Sequence, residues 1–145
     1  MDATGILDLR KSILIYIIAL IFIFLDFLLL FGLGKYLPIL AIIGIFSIPI
    51  YLILSLLSII FIVNGFNKIG DRFDKARLGK IGSYLAPILV GYIFLGLSFL
   101  SLGNAIKNYK VKIGGIIFIF PPIGFIGAIL IYLGLTEVAR QIKLI

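Results

Sequence analysis

The chain has 145 residues, 63% hydrophobic and 13% charged, and its mean hydropathy of +1.31 lies far outside the range of soluble domains. With 13 Lys and Arg against 6 Asp and Glu it carries a net charge of +7. Having no Cys and no His, it lacks the thiolates and imidazoles that hold zinc, iron–sulfur clusters, copper and haem.

The same inventory removes Ser/His and Cys/His nucleophile pairs, so the expectation is a membrane protein that is not an enzyme and uses no cofactor or metal. No Ser/Gly linker, polar tract or charge block divides residues 1–145, which read as a single all-α, polytopic membrane domain. Apolar runs can be tested against the roughly 20 residues that cross about 30 Å of hydrocarbon. Four spans result, at about 12–33, 37–63, 83–102 and 113–135, expected to pair as antiparallel hairpins.

The first span contains the stretch IFIFLDFLLLFGLGK, residues 21–35, in which Asp26 is the only charge before Lys35. An aspartate at a helix centre costs about 2.5–3.5 kcal/mol on the insertion scale, which the surrounding Ile, Leu and Phe outweigh, so the helix still inserts. Three readings follow for Asp26, one of them an interfacial, partly wet location towards the helix end near Gly32 and Lys35. In the other two it makes a polar contact, accepting from a Tyr or Ser on a neighbouring helix or subunit, or it binds a proton or cation. Asp2 and Asp8, and the length of the apolar run, argue against a cleaved signal peptide.

GLGKYLP, residues 32–38, is a tight turn that makes the first two spans a helical hairpin. Pro49 in the second span and Pro87 in the third should kink their helices. Ser55, Ser58 and Ser98 are candidates for hydrogen bonds between helices. Between these spans, residues 64–82 place Phe66, Ile69, Phe73 and Ala76 at helical spacing, with Asp71 four residues before Lys75. The segment reads as an amphipathic basic helix near the membrane surface, where Lys68, Arg72, Lys75, Arg77 and Lys80 would contact lipid headgroups or a partner.

In the fourth span, PPIGFIGA, residues 121–128, is the expected helix break. Gly124, Gly127, Ala128 and Gly134 form a small-residue face suited to close helix packing, within the chain or with another copy. Glu137 and Arg140 are spaced to pair with each other. Tyr36, Tyr84 and Tyr109 sit at span ends, as in an interfacial aromatic belt.

Four spans put Arg10, Lys11, the 68–80 cluster, Arg140 and Lys143 on one side, with Lys35, Lys107, Lys110 and Lys112 on the other. The positive-inside rule then places both termini in the cytoplasm of a multi-pass cell-membrane protein. A faint internal echo links KIGSYLAP, residues 80–87, with KIGGIIFIFPP, residues 112–122, and IFLGL at 93–97 with IYLGL at 131–135. Read as one loop plus one span each, these units would form an inverted pair.

The KIGGI and GAILIYLGL elements of LSLGNAIKNYKVKIGGIIFIFPPIGFIGAILIYLGLTEV, residues 100–138, resemble small, Ile-rich archaeal multi-span membrane proteins grouped as domains of unknown function. That resemblance implies an archaeal, thermophilic source and a multi-span fold, and brings no catalytic residues. Three functions are in play. The leading one is a structural or accessory subunit whose partners are the lipid bilayer and other membrane subunits or copies of itself. The second is a small cation- or proton-coupled transporter or channel using Asp26, similar in size to the four-span multidrug exporters but with Asp where their first helix has Glu, and without their Trp. The third is an envelope or coat protein of an archaeal virus, the one case in which nucleic acid would be a partner.

Overall fold

A computed structural model describes residues 3–142; Asp2 and Lys143 lie outside the described residues. Within them the chain is helical, running α1 (Ala3–Phe27), α2 (Pro38–Ile69), α3 (Ala76–Tyr84), α4 (Leu89–Ala105), α5 (Tyr109–Phe118) and α6 (Gly124–Gln141). A π-helical turn at Leu28–Gly32 and a 3-10 turn at Leu33–Lys35 prolong α1 to the hairpin tip. Pro38 opens α2 at a position where its missing N–H costs nothing, and the helix continues unbroken through Pro49.

Three helical stretches are long and apolar enough to cross a membrane: Ala3–Lys35, Pro38–Ile69 and Pro121–Gln141. The first two pack against each other in opposite directions. Gly5 faces Gly65 and Ser12 faces Ser58 in one register, and Asp26 faces Ser47 and Leu29 faces Gly44 in a register shifted by three residues.

The other two expected spans take a different form. The run 83–102 is divided at Leu85–Ile88, beside Pro87, so that Ser83 and Tyr84 end α3 and the next helix, α4, has 17 residues. The run 113–135 is divided too. Pro121 and Pro122 bar a helical conformation at the preceding residue, and Phe120 is extended (φ −96°, ψ 102°). The chain reverses there, and α6 packs back along α5. At 1.5 Å per residue α3 and α5 are about 13 and 15 Å long, half the hydrocarbon thickness.

The segment 64–82 is likewise not one helix. Gly70, at φ 67° and ψ −150°, stops α2 in a conformation that essentially only glycine adopts, and α3 starts after Lys75. Its apolar stripe is nonetheless used inward: Phe66, Ile69 and Ala76 are buried and Phe73 packs against the core. Asp71 pairs with Lys80 instead of Lys75.

Four of the five pairs of consecutive helices, α1–α2, α3–α4, α4–α5 and α5–α6, use one contact. A glycine on one helix lies against a glycine carbonyl on the other and against the backbone N–H four residues later. The pairs are Gly5 on Gly65 and Ile69, Gly82 on Gly91 and Leu95, Gly96 on Gly115 and Ile119, and Gly114 on Gly127 and Ile131. A methyl group at Gly114 would sit 2.7 Å from the Gly127 carbonyl oxygen, so only glycine permits the approach. The two Lys-Ile-Gly stretches thus play matching roles. Each lies within the rising helix of a hairpin with proline near its apex, and both hairpins run in the same direction. The echo therefore corresponds to a parallel pair of hairpins, not the inverted pair expected when each unit was taken as one span.

The core lies where these short helices meet the termini of the long hairpin, around Leu9, Ile13, Phe66, Phe99, Leu102, Ile131 and Leu135. Phe99 links Phe66 on α2 (5.5 Å between ring centroids) to Phe118 on α5 (6.2 Å). Beyond about residue 20 on α1 and before about residue 51 on α2 the hairpin projects alone, exposing Phe24, Phe27, Phe31, Ile39 and Phe46.

Candidate functional site

Asp26 lies in that projecting part and is nevertheless only 5% exposed. Ser47 of α2 donates its hydroxyl to the Asp26 carboxylate, and the same oxygen lies 2.8 Å from the Gly44 carbonyl one turn earlier. Gly44 is what lets α2 approach: a side chain there would meet Leu29 and Leu30 of the facing segment. The carboxylate is held within the hairpin by a short hydroxyl side chain, which supplies a hydrogen bond without a counter-charge.

Three to four turns nearer the core, Ser12 and Ser58 form a reciprocal bridge. Each hydroxyl bonds the other residue's backbone carbonyl, at 2.9 and 3.0 Å, and the two oxygens are 3.3 Å apart. Ser55 bonds its own helix at Tyr51, and Ser98 is fully buried with no hydrogen-bond partner, so neither links helices as expected. Above this bridge a cavity of about 490 Å³ lies between the hairpin and the α3–α4 turn, bordered by Tyr16, Tyr51, Tyr92, Ala86, Pro87 and Phe118. Tyr16, Tyr92 and Phe118 form an aromatic cluster with centroids 5.4–6.2 Å apart. Sequence reasoning passed over these tyrosines because it looked to span ends. Tyr16, Tyr51 and Tyr92 lie inside apolar runs, where a phenol O–H needs a reason to be buried. Tyr36, Tyr84 and Tyr109 are exposed, at 82%, 67% and 74%.

The basic residues gather more completely than the four-span reading allowed. Because α3 rises and α4 returns, the α4–α5 turn comes back to the end that carries Arg10 and Lys68. Lys110 and Asn108 both bond Glu137 near the end of α6, while Arg10 bonds Thr136 and Tyr132 on that helix. Lys107, Lys110 and Lys112 therefore belong with the basic cluster, a correction to their assignment opposite it. Among the described residues only Lys35, at the hairpin tip, lies at the other end. Lys68 pairs with Asp8, and Lys80 with Asp71, while Arg72, Lys75 and Arg77 are exposed without an ion pair among the described residues. Glu137 is bonded by α5 and not by Arg140.

Gly127, Ala128 and Gly134 face other parts of this chain: Gly127 lies on Gly114, Gly134 lies on Val111 and Asn108, and Ala128 is fully buried. Gly124 begins α6 with its nearest neighbour, the Phe118 carbonyl, 3.6 Å from where a side chain would start.

Neither the curated proteins nor the solved structures contain a match to this chain. Residues 78–144, from within α3 through α6, are similar to the family described as Protein of unknown function (DUF973), a match that covers both short hairpins and leaves the long one outside it.

Proposed function

We propose that this is a non-catalytic membrane subunit: its α1–α2 hairpin spans the bilayer, and the projecting half packs against other subunits or copies of the chain. One observation carries the reading. Residues 21–50 expose most of their large apolar side chains with no other helix of the chain against them, yet enclose a hydrogen-bonded carboxylate. A lone hairpin gains little from such a pair, whereas a subunit keeps its two helices in register for a neighbour.

The location is the cell membrane, with both termini and the basic end on the cytoplasmic side. The support is the charge asymmetry, which leaves only Lys35 at the far tip. Arg72, Lys75 and Arg77, free of ion pairs among the described residues, are then available to anionic headgroups or to a soluble partner, each worth about 1 kcal/mol near an anionic surface. The isoleucine-rich pattern of residues 100–138 supports an archaeal, heat-adapted source.

Native mass spectrometry after gentle detergent extraction tests the subunit reading. A complex of fixed stoichiometry is expected, with other proteins or with further copies. A chain recovered only as a monomer carrying lipid would remove it.

A further inference from the structure

The cavity between the hairpin and the α3–α4 turn carries six hydroxyl side chains, Ser12, Ser55, Ser58, Tyr16, Tyr51 and Tyr92, in an otherwise apolar wall. Their protons can be accounted for individually. Ser12 and Ser58 satisfy each other's carbonyls, and Ser55 bonds the Tyr51 carbonyl. Tyr16 and Tyr92 share one hydrogen bond at 3.4 Å, and whichever of them donates, the other keeps an O–H without an acceptor. The Tyr51 hydroxyl has no hydrogen-bond partner among the described residues. Two phenolic donors are left over, and both belong to half-buried residues on the cavity wall.

Leftover donors call for an acceptor. No Lys, Arg, Asp or Glu lines the cavity, so an ion entering it would lose its hydration without meeting a counter-charge. Along α1 the wall starts at Ser12, next to the basic end, and extends to Leu20, about 12 Å deeper at the helical rise. That depth falls within one leaflet's hydrocarbon, which selects a ligand dissolved in the membrane. The volume lies within the range of small-molecule pockets, which are likewise apolar with a few placed polar groups.

We propose that this cavity binds a neutral, lipid-soluble molecule whose apolar body carries one or two carbonyl oxygens, held by the hydroxyls of Tyr51 and Tyr92. A membrane quinone and an acyl-ester lipid share that chemistry. The site lies on the core side of the projecting half-hairpin, so its occupancy is independent of the subunit contacts proposed above.

The test titrates decyl-ubiquinone into the full chain in nanodiscs of dialkyl-ether phospholipid, which has no ester carbonyls. The chain has seven Tyr and no Trp, so its intrinsic emission is tyrosine emission, and a quinone beside Tyr16 quenches it. Saturable quenching is expected. Combining Tyr51→Phe with Tyr92→Phe keeps both rings and the Tyr16 reporter, and should weaken binding about tenfold or more, the worth of one to two hydrogen bonds. Tyr36→Phe, at the exposed hairpin tip, should change nothing. Repeating the titration in diacyl-ester nanodiscs separates the two sources: unchanged affinity assigns the site to quinones, and weakened affinity assigns it to the ester lipid. Quenching that rises linearly without saturation in ether lipid overturns the proposal, as does saturable binding that the double variant leaves unaltered.

Discussion

Gly114 and Gly127 meet across the α5–α6 reversal so closely that a methyl group on either would press on the other's carbonyl oxygen, at 2.7 and 2.6 Å respectively. The same glycine-on-glycine contact recurs at Gly5 on Gly65, Gly82 on Gly91 and Gly96 on Gly115. In a bilayer, apolar side chains gain nothing by leaving lipid for another helix, so close backbone approach supplies much of the attraction. The bundle is organised around positions that have no side chain.

Gly127→Ala should therefore destabilise the fold by about 1–3 kcal/mol, because the atoms in the way, the Gly114 carbonyl and the Phe118 N–H, are backbone and cannot rotate aside. Gly124→Ala, one turn earlier, has room, and should be neutral or gain up to about 1 kcal/mol from lower chain entropy in the unfolded state. Thermal unfolding of the two variants in the same detergent checks this, and equal losses at both sites would contradict the packing described.

Ser47→Ala should cost about 1–2 kcal/mol, since it leaves the Asp26 carboxylate enclosed without its donor. Adding Asp26→Leu to Ser47→Ala should recover most of that loss, because a buried polar group replaced together with its partner carries little net penalty. Denaturant unfolding of both variants provides the comparison. A double variant that adds the two losses independently would mean that the pair does not interact.

Two of the three ion pairs at the basic end differ in worth. Asp8 is enclosed, with a side chain 11% exposed against Lys68, whereas the Glu137 side chain facing Lys110 is 42% exposed. Asp8→Asn should lower stability by about 1–2 kcal/mol, and Glu137→Gln by much less, because water and salt screen the exposed pair. Thermal unfolding at low and high salt separates them, with only the small Glu137 effect vanishing at high salt.

Hydropathy was sufficient for the membrane class and the long hairpin because both depend on how many apolar residues occur in succession. It could not give the direction of the chain within a run. Residues 113–135 are apolar enough for one crossing, yet they fold back, and hydropathy reads a reversal at Phe120 and a straight helix identically. The signal was present in two forms: the Pro121–Pro122 pair, and glycine followed four residues later by Ile or Leu at 65–69, 91–95, 115–119 and 127–131. The latter becomes visible as a motif only once the facing glycines are known. Tyr16, Tyr51 and Tyr92 converge from three helices, which no local pattern encodes.

The fold-back of α3–α4 and α5–α6 makes a prediction that separates it from four simple spans. Four spans would leave Lys35 and Lys107 on the same face of the membrane, whereas the structure places Lys107 with Arg72, at the opposite end from Lys35. The chain has no cysteine, so Lys35→Cys, Arg72→Cys and Lys107→Cys each introduce one thiol without a background. All three sites are exposed or partly exposed, and a membrane-impermeant maleimide should reach them. In sealed, right-side-out vesicles the reagent should label either Lys35→Cys alone or Arg72→Cys and Lys107→Cys together, and inverted vesicles should give the complement. Labelling of Lys35→Cys and Lys107→Cys from one side, with Arg72→Cys protected, would restore four crossings and displace the short hairpins.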